Sequence, residues 1–176
     1  MKKLLPLLLV LGCALSAAPY RQTSPGDTVN GKAMLVQADA RLVQDNLVIT
    51  LQAAGPGITE WLHLFADTGD TPGFYEHASR RPAGQGLKML FEGAVVYRFT
   101  GNATNHWSWA PIPGATVKRE TTGDTLTLTM PYAPLGFSPG HPVHFFAATY
   151  APDYADTLDT LPRANANWSF TPPLKP

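Results

Sequence analysis

The chain has one cysteine, Cys13, so no disulfide can form within it and its stability has to come from a packed core. Charge is scarce as well: Asp, Glu, Lys and Arg make up 15% of the 176 residues, and the 13 basic side chains match the 13 acidic ones. No basic stripe is present to neutralise phosphates, so a nucleic-acid partner is not expected. Past the first dozen positions Pro, Asp or Gly interrupts every apolar stretch. None approaches the ~20 residues of a membrane-spanning helix, and no convincing helix exceeds a turn or two.

Catalytic signatures are missing too. The sequence has no GxSxG elbow, no HExxH and no CxxC, and it offers no thiol nucleophile past Cys13. Glu60, Glu76, Glu92 and Glu120 show no spacing that marks a glycosidase pair, which needs two carboxylates roughly 5 or 7–9 Å apart in one cleft. Glu76-His77 is no triad. The expectation is a non-catalytic protein.

What the sequence does have begins with a leader. Lys2 and Lys3 precede the apolar run Leu4 to Leu11, and small residues follow from Gly12 to Ala18. That order predicts a secretory signal peptide over residues 1–18 and a protein that is secreted or held in the cell envelope. Val10-Leu11-Gly12-Cys13 also reads as a lipobox, which would make Cys13 a lipid anchor; the two cleavage routes stay open. Loss of the leader removes two of the 13 basic residues, so the mature domain is slightly acidic. It retains ample chain for one domain.

Period-2 alternation then runs almost throughout. Met34, Val36, Ala38, Ala40 and Leu42 share one face of a strand; a Gln44-Asp45-Asn46 turn leads to Leu47, Ile49 and Leu51. Trp61 to Ala66 is nearly all apolar, as a central strand would be. Leu87–Phe91 and Ala94–Thr100 flank Glu92-Gly93 as a hairpin, with Val95, Tyr97 and Phe99 on one face read as core. Ala115–Glu120 meets Thr125–Met130 across Thr122-Gly123-Asp124, and Val143–Tyr150 and Asn167–Thr171 complete the set. With 17 prolines and 15 glycines for turns, the pattern predicts an all-β, antiparallel, jelly-roll-like sandwich of about ten strands over residues 33–171. Residues 19–32 and 172–176 are expected to be loosely ordered.

Five stretches in order resemble the DOMON-like superfamily of sandwiches, which includes the family 9 carbohydrate-binding modules. They are Ser24-Pro25-Gly26-Asp27 (a PxGD-like entry), Leu64 to Phe74 (similar to FIDTDNNPxTGY), Gly93 to Trp109 (ending WxW), Leu126 to Gly136 (similar to lxlxiPxxxLG) and Asp159-Thr160-Leu161-Pro162 (DxxP). Together they span about residues 24–170. Gly69 stands where the pattern has a second Asp, and no Asp precedes the first strand near Lys32-Ala33-Met34. The resemblance implies a sandwich that binds a sugar, haem or another protein, and fold alone does not choose among these.

The residues supply candidates for each. Trp107 and Trp109 lie two apart, so on a strand they point the same way and form a platform on which a pyranose ring stacks; alternatively one or both fill the core. Asn105, His106 and Ser108 would fix the sugar from the rim, with Tyr97, Tyr75 and Trp61 as further platforms. Tyr75 lies in the Gly-rich stretch Pro72 to Gly86, long enough for a functional loop. Asp67 and Asp70 are the calcium candidates, set against an Asx turn that ends a strand. Asp153, Asp156 and Asp159 form a second acidic group, read as a solvated loop. His141 and His144 make no metal-ligand pair. The resemblance implies Met and His axial ligands for a haem, for which Met34, Met89 and Met130 are the methionines present, though each also fits an ordinary core or strand position. The partner readings are therefore an envelope or plant glycan first, a structural or protein-binding role in the envelope second, and haem third.

Overall fold

The computed structural model describes residues 20–21, 35–54, 62–69, 86–102, 104–105, 107–150, 157–161 and 168–174. Their strands are β1 (Tyr20–Arg21), β2 (Leu35–Val43), β3 (Asn46–Ala53), β4 (Leu62–Asp67), β5 (Met89–Glu92) and β6 (Val95–Phe99), followed by β7 (Trp109–Thr116), β8 (Lys118–Thr122), β9 (Thr125–Pro131), β10 (Val143–Tyr150), β11 (Thr157–Leu161) and β12 (Trp168–Phe170). A single 3-10 turn, Ala133–Leu135, is the only helical element among the described residues.

All pairings are antiparallel. One sheet runs β1-β2-β3-β9-β8. The other runs β11-β10-β4-β5-β6-β7, with β12 beside the start of β10. The protein is an all-β sandwich. Its jelly-roll character lies in the ribbon β3–β4, which crosses from one sheet to the other while β9–β10 crosses beside it: β3 pairs β9 in the first sheet and β4 pairs β10 in the second.

The alternation read from sequence sets the inner faces. Leu47, Ile49 and Leu51 from β3 and Leu126, Leu128 and Met130 from β9 are buried against Leu64, Phe91, Val96, Phe145 and Ala147 of the facing sheet. Thr125, Thr127 and Thr129 line the wetter outer face, where their β-branches suit the extended backbone. Tight turns with left-handed Gly93 and Gly123 join β5 to β6 and β8 to β9.

Three expectations change. In β2, Leu35 rather than Val36 reaches the core: the register shifts between Leu35 and Gln37, and the extra residue of this bulge swaps the faces on its N-terminal side. Ala115–Glu120 is not one strand. β7 ends at Thr116 on the β6 edge, Val117 donates its N–H to Ala94 O, and β8 starts in the opposite sheet. Val95, Tyr97 and Phe99 do share a face, but it is the outer face of the seven-stranded sheet; Val96 fills the core between the sheets. Tyr20–Arg21 adds to the edge of β2 over Ala38 and Gln37, and the Pro172 carbonyl accepts a hydrogen bond from Gly140 N.

One polar residue on the outer face of the five-stranded sheet is poorly solvated. The Asp39 side chain is only 12% exposed, and its Oδ1 is buried without a hydrogen-bond partner. Burial lifts its carboxyl above the ordinary range, and the Arg41 guanidinium and the Ala40 N–H pull less strongly the other way. A raised folded-state pKa favours the protonated form. Its contribution to stability is complete below the unfolded value of 3.8 and is lost as pH climbs through the folded value. Asp39→Asn should therefore raise the melting temperature at pH 7 by a few degrees, with the gain fading on acidification towards pH 3.8. Thermal melts of both proteins across that range check it; an equal gain at every pH would mean the charge is not the cause.

Candidate functional site

β4 is the reason for a second apolar layer. It lies between β10 and β5, and all six of its residues are buried. Leu62, Leu64 and Ala66 face the other sheet, which leaves His63, Phe65 and Asp67 on the outer side, where a sandwich usually meets water. Here the outer side is covered as well. Phe65, Leu87, Leu90, Phe146, Ala148 and Tyr150 form a separate buried cluster, with Tyr97, Phe99 and Trp109 packed on it.

Aromatic contacts, some edge to face and some tilted, hold this layer together. Phe65 lies 5.6 Å from His63 in a T-shaped arrangement and 6.1 and 6.2 Å from Trp109 and Phe146. Phe99 meets Trp109 at 5.3 Å, near perpendicular. The T-shaped pairs align ring edges with ring faces and add about 0.5–1.5 kcal/mol per pair beyond simple burial.

Trp107 crowns the cluster. It is 48% exposed, the only aromatic among the exposed large hydrophobics of the described residues. Its indole stacks on the His63 ring (5.8 Å, 29° between planes) and abuts Trp109 at 5.6 Å and 74°. The connection between β6 and β7 holds it there. Asn102 Oδ1 accepts from the N–H groups of Thr104 and Asn105, and Asn102 N donates to Asn105 O. Thr100 N donates to Ser108 O, and their hydroxyls lie 2.9 Å apart. Gly101 is obligatory in this turn, since a Cβ there would strike the Asn105 carbonyl and the Phe99 ring.

Beside Trp107 lies an open hollow of ≈ 370 Å³ lined by Leu90, Glu92, Tyr97, Trp107, Ser108 and Trp109. Glu92 ends β5 at the hairpin turn, and its Oε1 lies 2.9 Å from His63 Nε2. The histidine side chain is 6% exposed and the carboxylate 38%. Buried imidazole thus anchors one carboxylate oxygen while the group still faces solvent. The hollow combines a half-exposed indole, a carboxylate held by an imidazole and a serine hydroxyl.

Three of the residues picked from sequence, Trp107, Trp109 and Tyr97, therefore meet at one place. Trp109 also meets the alternative reading, because it packs on the buried cluster. Tyr75, His106 and Asp70, with Cys13, Trp61, Met34, Asp153 and Asp156, lie outside the described residues. Asp67 sits at the far end of β4 from His63, opposite His144, and its Oδ1 accepts from Gly69 N at 2.8 Å. That is the Asx turn weighed against calcium, and one carboxylate oxygen is already engaged. Among the described residues no group of three His, Cys, Asp or Glu could hold a metal. Met89 and Met130 are buried in the core between the sheets, the ordinary position weighed against a ligand role. Asp159 is paired with Thr149 in β11, a strand the sequence reading placed in a loop.

His63 escaped the sequence reading. Its signal was a titratable side chain within the nearly continuous apolar run from Trp61 to Ala66. Glu92 was considered only as half of a glycosidase pair. No family model matches the sequence, and no curated protein matches it.

Proposed function

We propose that this protein is an exported, non-catalytic glycan-binding domain of carbohydrate-module type, with the Trp107 hollow as its sugar site. The observation that carries the reading is the half-exposed Trp107 indole beside Glu92 and Ser108. A pyranose presents a patch of C–H groups on one face and hydroxyls at its rim. The first stacks on an indole; the second needs acceptors and donors at the edge of that stack. Glu92 accepts from two vicinal hydroxyls, and His63 keeps the carboxylate from turning away. Trp109 and Tyr97 form the wall. An open hollow of this kind fits one or two sugar units of a long chain rather than an enclosed small molecule. The leader Lys2 to Ala18 supports a site of action outside the cytoplasm.

The test is affinity electrophoresis of the mature protein through native gels containing soluble plant or bacterial-envelope polysaccharides. Retarded migration in at least one gel is the expected result. Unretarded migration across the panel, in protein with a normal melting curve, would overturn the assignment.

A further inference from the structure

The hollow beside Trp107 holds chemistry that a neutral sugar would leave half used. Strand register builds it. Leu90 and Glu92 alternate along β5 on the outer side of the seven-stranded sheet, and Tyr97 stands opposite Leu90 on β6. Trp109, at the start of β7, and Trp107 and Ser108 just before it complete the lining. We infer that the hollow recognises an organic ammonium carried by its glycan, either the protonated amine of a deacetylated amino sugar or a quaternary ammonium substituent. The inference rests on the glycan reading of this site and names the sugars it selects.

The aromatic walls are the first argument. An aromatic face carries negative potential and attracts a cation within about 6 Å of the ring centroid, indole most strongly. The Trp107 and Trp109 centroids are 5.6 Å apart with 74° between planes, so the two rings make a corner and not a flat shelf. A pyranose face stacks on one indole at a time. A compact ammonium seated against the corner lies within reach of both, with Tyr97 as a further wall.

The carboxylate is the second. Glu92 lines the hollow with its side chain 38% exposed, while its Oε1 lies 2.9 Å from His63 Nε2. The His63 ring in turn stacks on Trp107 at 5.8 Å. One buried side chain therefore locates both the carboxylate and the half-exposed indole. A neutral imidazole that donates a single N–H orients a carboxylate without cancelling its charge. To that carboxylate a sugar hydroxyl offers a neutral donor. An ammonium offers a fully charged one, and ion-to-ion hydrogen bonds are shorter and stronger. N-acetylation of an amino sugar removes the charge, and with it both attractions. The hollow, ≈ 370 Å³, is near the lower end of the ~300–1,000 Å³ of ordinary ligand sites, room for one sugar unit and its substituent.

Isothermal titration of the mature protein tests the inference, in buffer just below neutrality where much of the glucosamine amine is protonated. The ligands are a glucosamine trisaccharide, its N-acetylated form, the glucose trisaccharide of the same linkage, and choline chloride, all at matched ionic strength. The glucosamine trisaccharide should bind roughly 10-fold or more tightly than either neutral one. Glu92→Gln keeps the size of the side chain and an oxygen for His63. It should weaken the ammonium ligands roughly 10–100-fold and the neutral sugars by less, so the preference collapses. Glu120→Gln removes the same charge from the exposed β8 edge of the other sheet and should leave the preference intact. Choline bound more tightly than the glucosamine trisaccharide identifies a quaternary substituent; the reverse identifies an amino sugar. Equal affinity for all three trisaccharides without choline binding overturns the ammonium assignment. So does the lack of saturable binding by any of the four, or an equal loss for every ligand in Glu92→Gln. Retardation by a polysaccharide decides the glycan reading separately: choline binding by a protein that no polysaccharide retards would sink that reading and keep the ammonium site.

Discussion

Phe65→Ala should destabilise the protein by about 3–5 kcal/mol, the usual cost of emptying a phenylalanine site in a core. Phe65 has no exposed surface, although it points to the outer side of its sheet. If that side were an ordinary wet face, the substitution would be nearly neutral. The ring instead contacts His63, Trp109 and Phe146, which all lose packing partners when it is removed. A total stability of about 5–15 kcal/mol is typical for a domain, so the variant would sit near its folding limit at ambient temperature. Urea unfolding followed by tryptophan fluorescence and by far-UV circular dichroism provides the measurement. Phe65→Leu, which keeps most of the volume, should lose about 1.5 kcal/mol or less. A midpoint for Phe65→Ala within 1 kcal/mol of wild type would mean that the second layer contributes no cohesion.

Trp107→Ala should do the opposite, removing function and sparing the fold. Truncating an aromatic anchor at the centre of a binding site costs 2 kcal/mol or more, roughly a 30-fold or greater loss of affinity. Glycan retardation should therefore disappear. Half of the side chain is in solvent, and the ring stacks on His63 and Trp109 without filling a closed space, so the melting temperature should change by only a few degrees. Trp109→Ala is the contrasting variant. It should weaken binding and stability together, because Trp109 packs on Phe65 and Phe99. Full retention by Trp107→Ala on a glycan that retards wild type would displace the site from this hollow.

These two residues also mark where sequence reasoning succeeded and where it stopped. The hairpins β2–β3 and β8–β9 were legible because one side of each meets water, and the alternation of Leu126, Leu128 and Met130 with threonines states which side that is. The same rule misled at Val95, Tyr97 and Phe99. The centre of the seven-stranded sheet is buried on both faces, so period 2 names two faces without saying which one looks at the other sheet. The all-buried β4 was the visible warning. A bulge at Val36 and a change of sheet at Val117 are single-residue events that leave the apolar spacing almost intact. At the hollow, the tryptophans announced themselves by size and spacing. His63 and Glu92 are far apart in sequence, and only the β4–β5 pairing sets them 2.9 Å apart.

The crossing ribbon has a kinetic consequence. β3 and β4 are made early, yet each has a permanent neighbour, β9 or β10, that follows dozens of residues later. Loops that long must close before the pairing rewards them, which places such a topology among the millisecond-to-second folders. A chain emerging N-terminus first would leave Phe65 and His63 without the β10 part of their cover until Phe146 and Tyr150 had arrived. The seam shuts late, so a stalled or truncated product ending before β10 should be recognised by proteases and not accumulate.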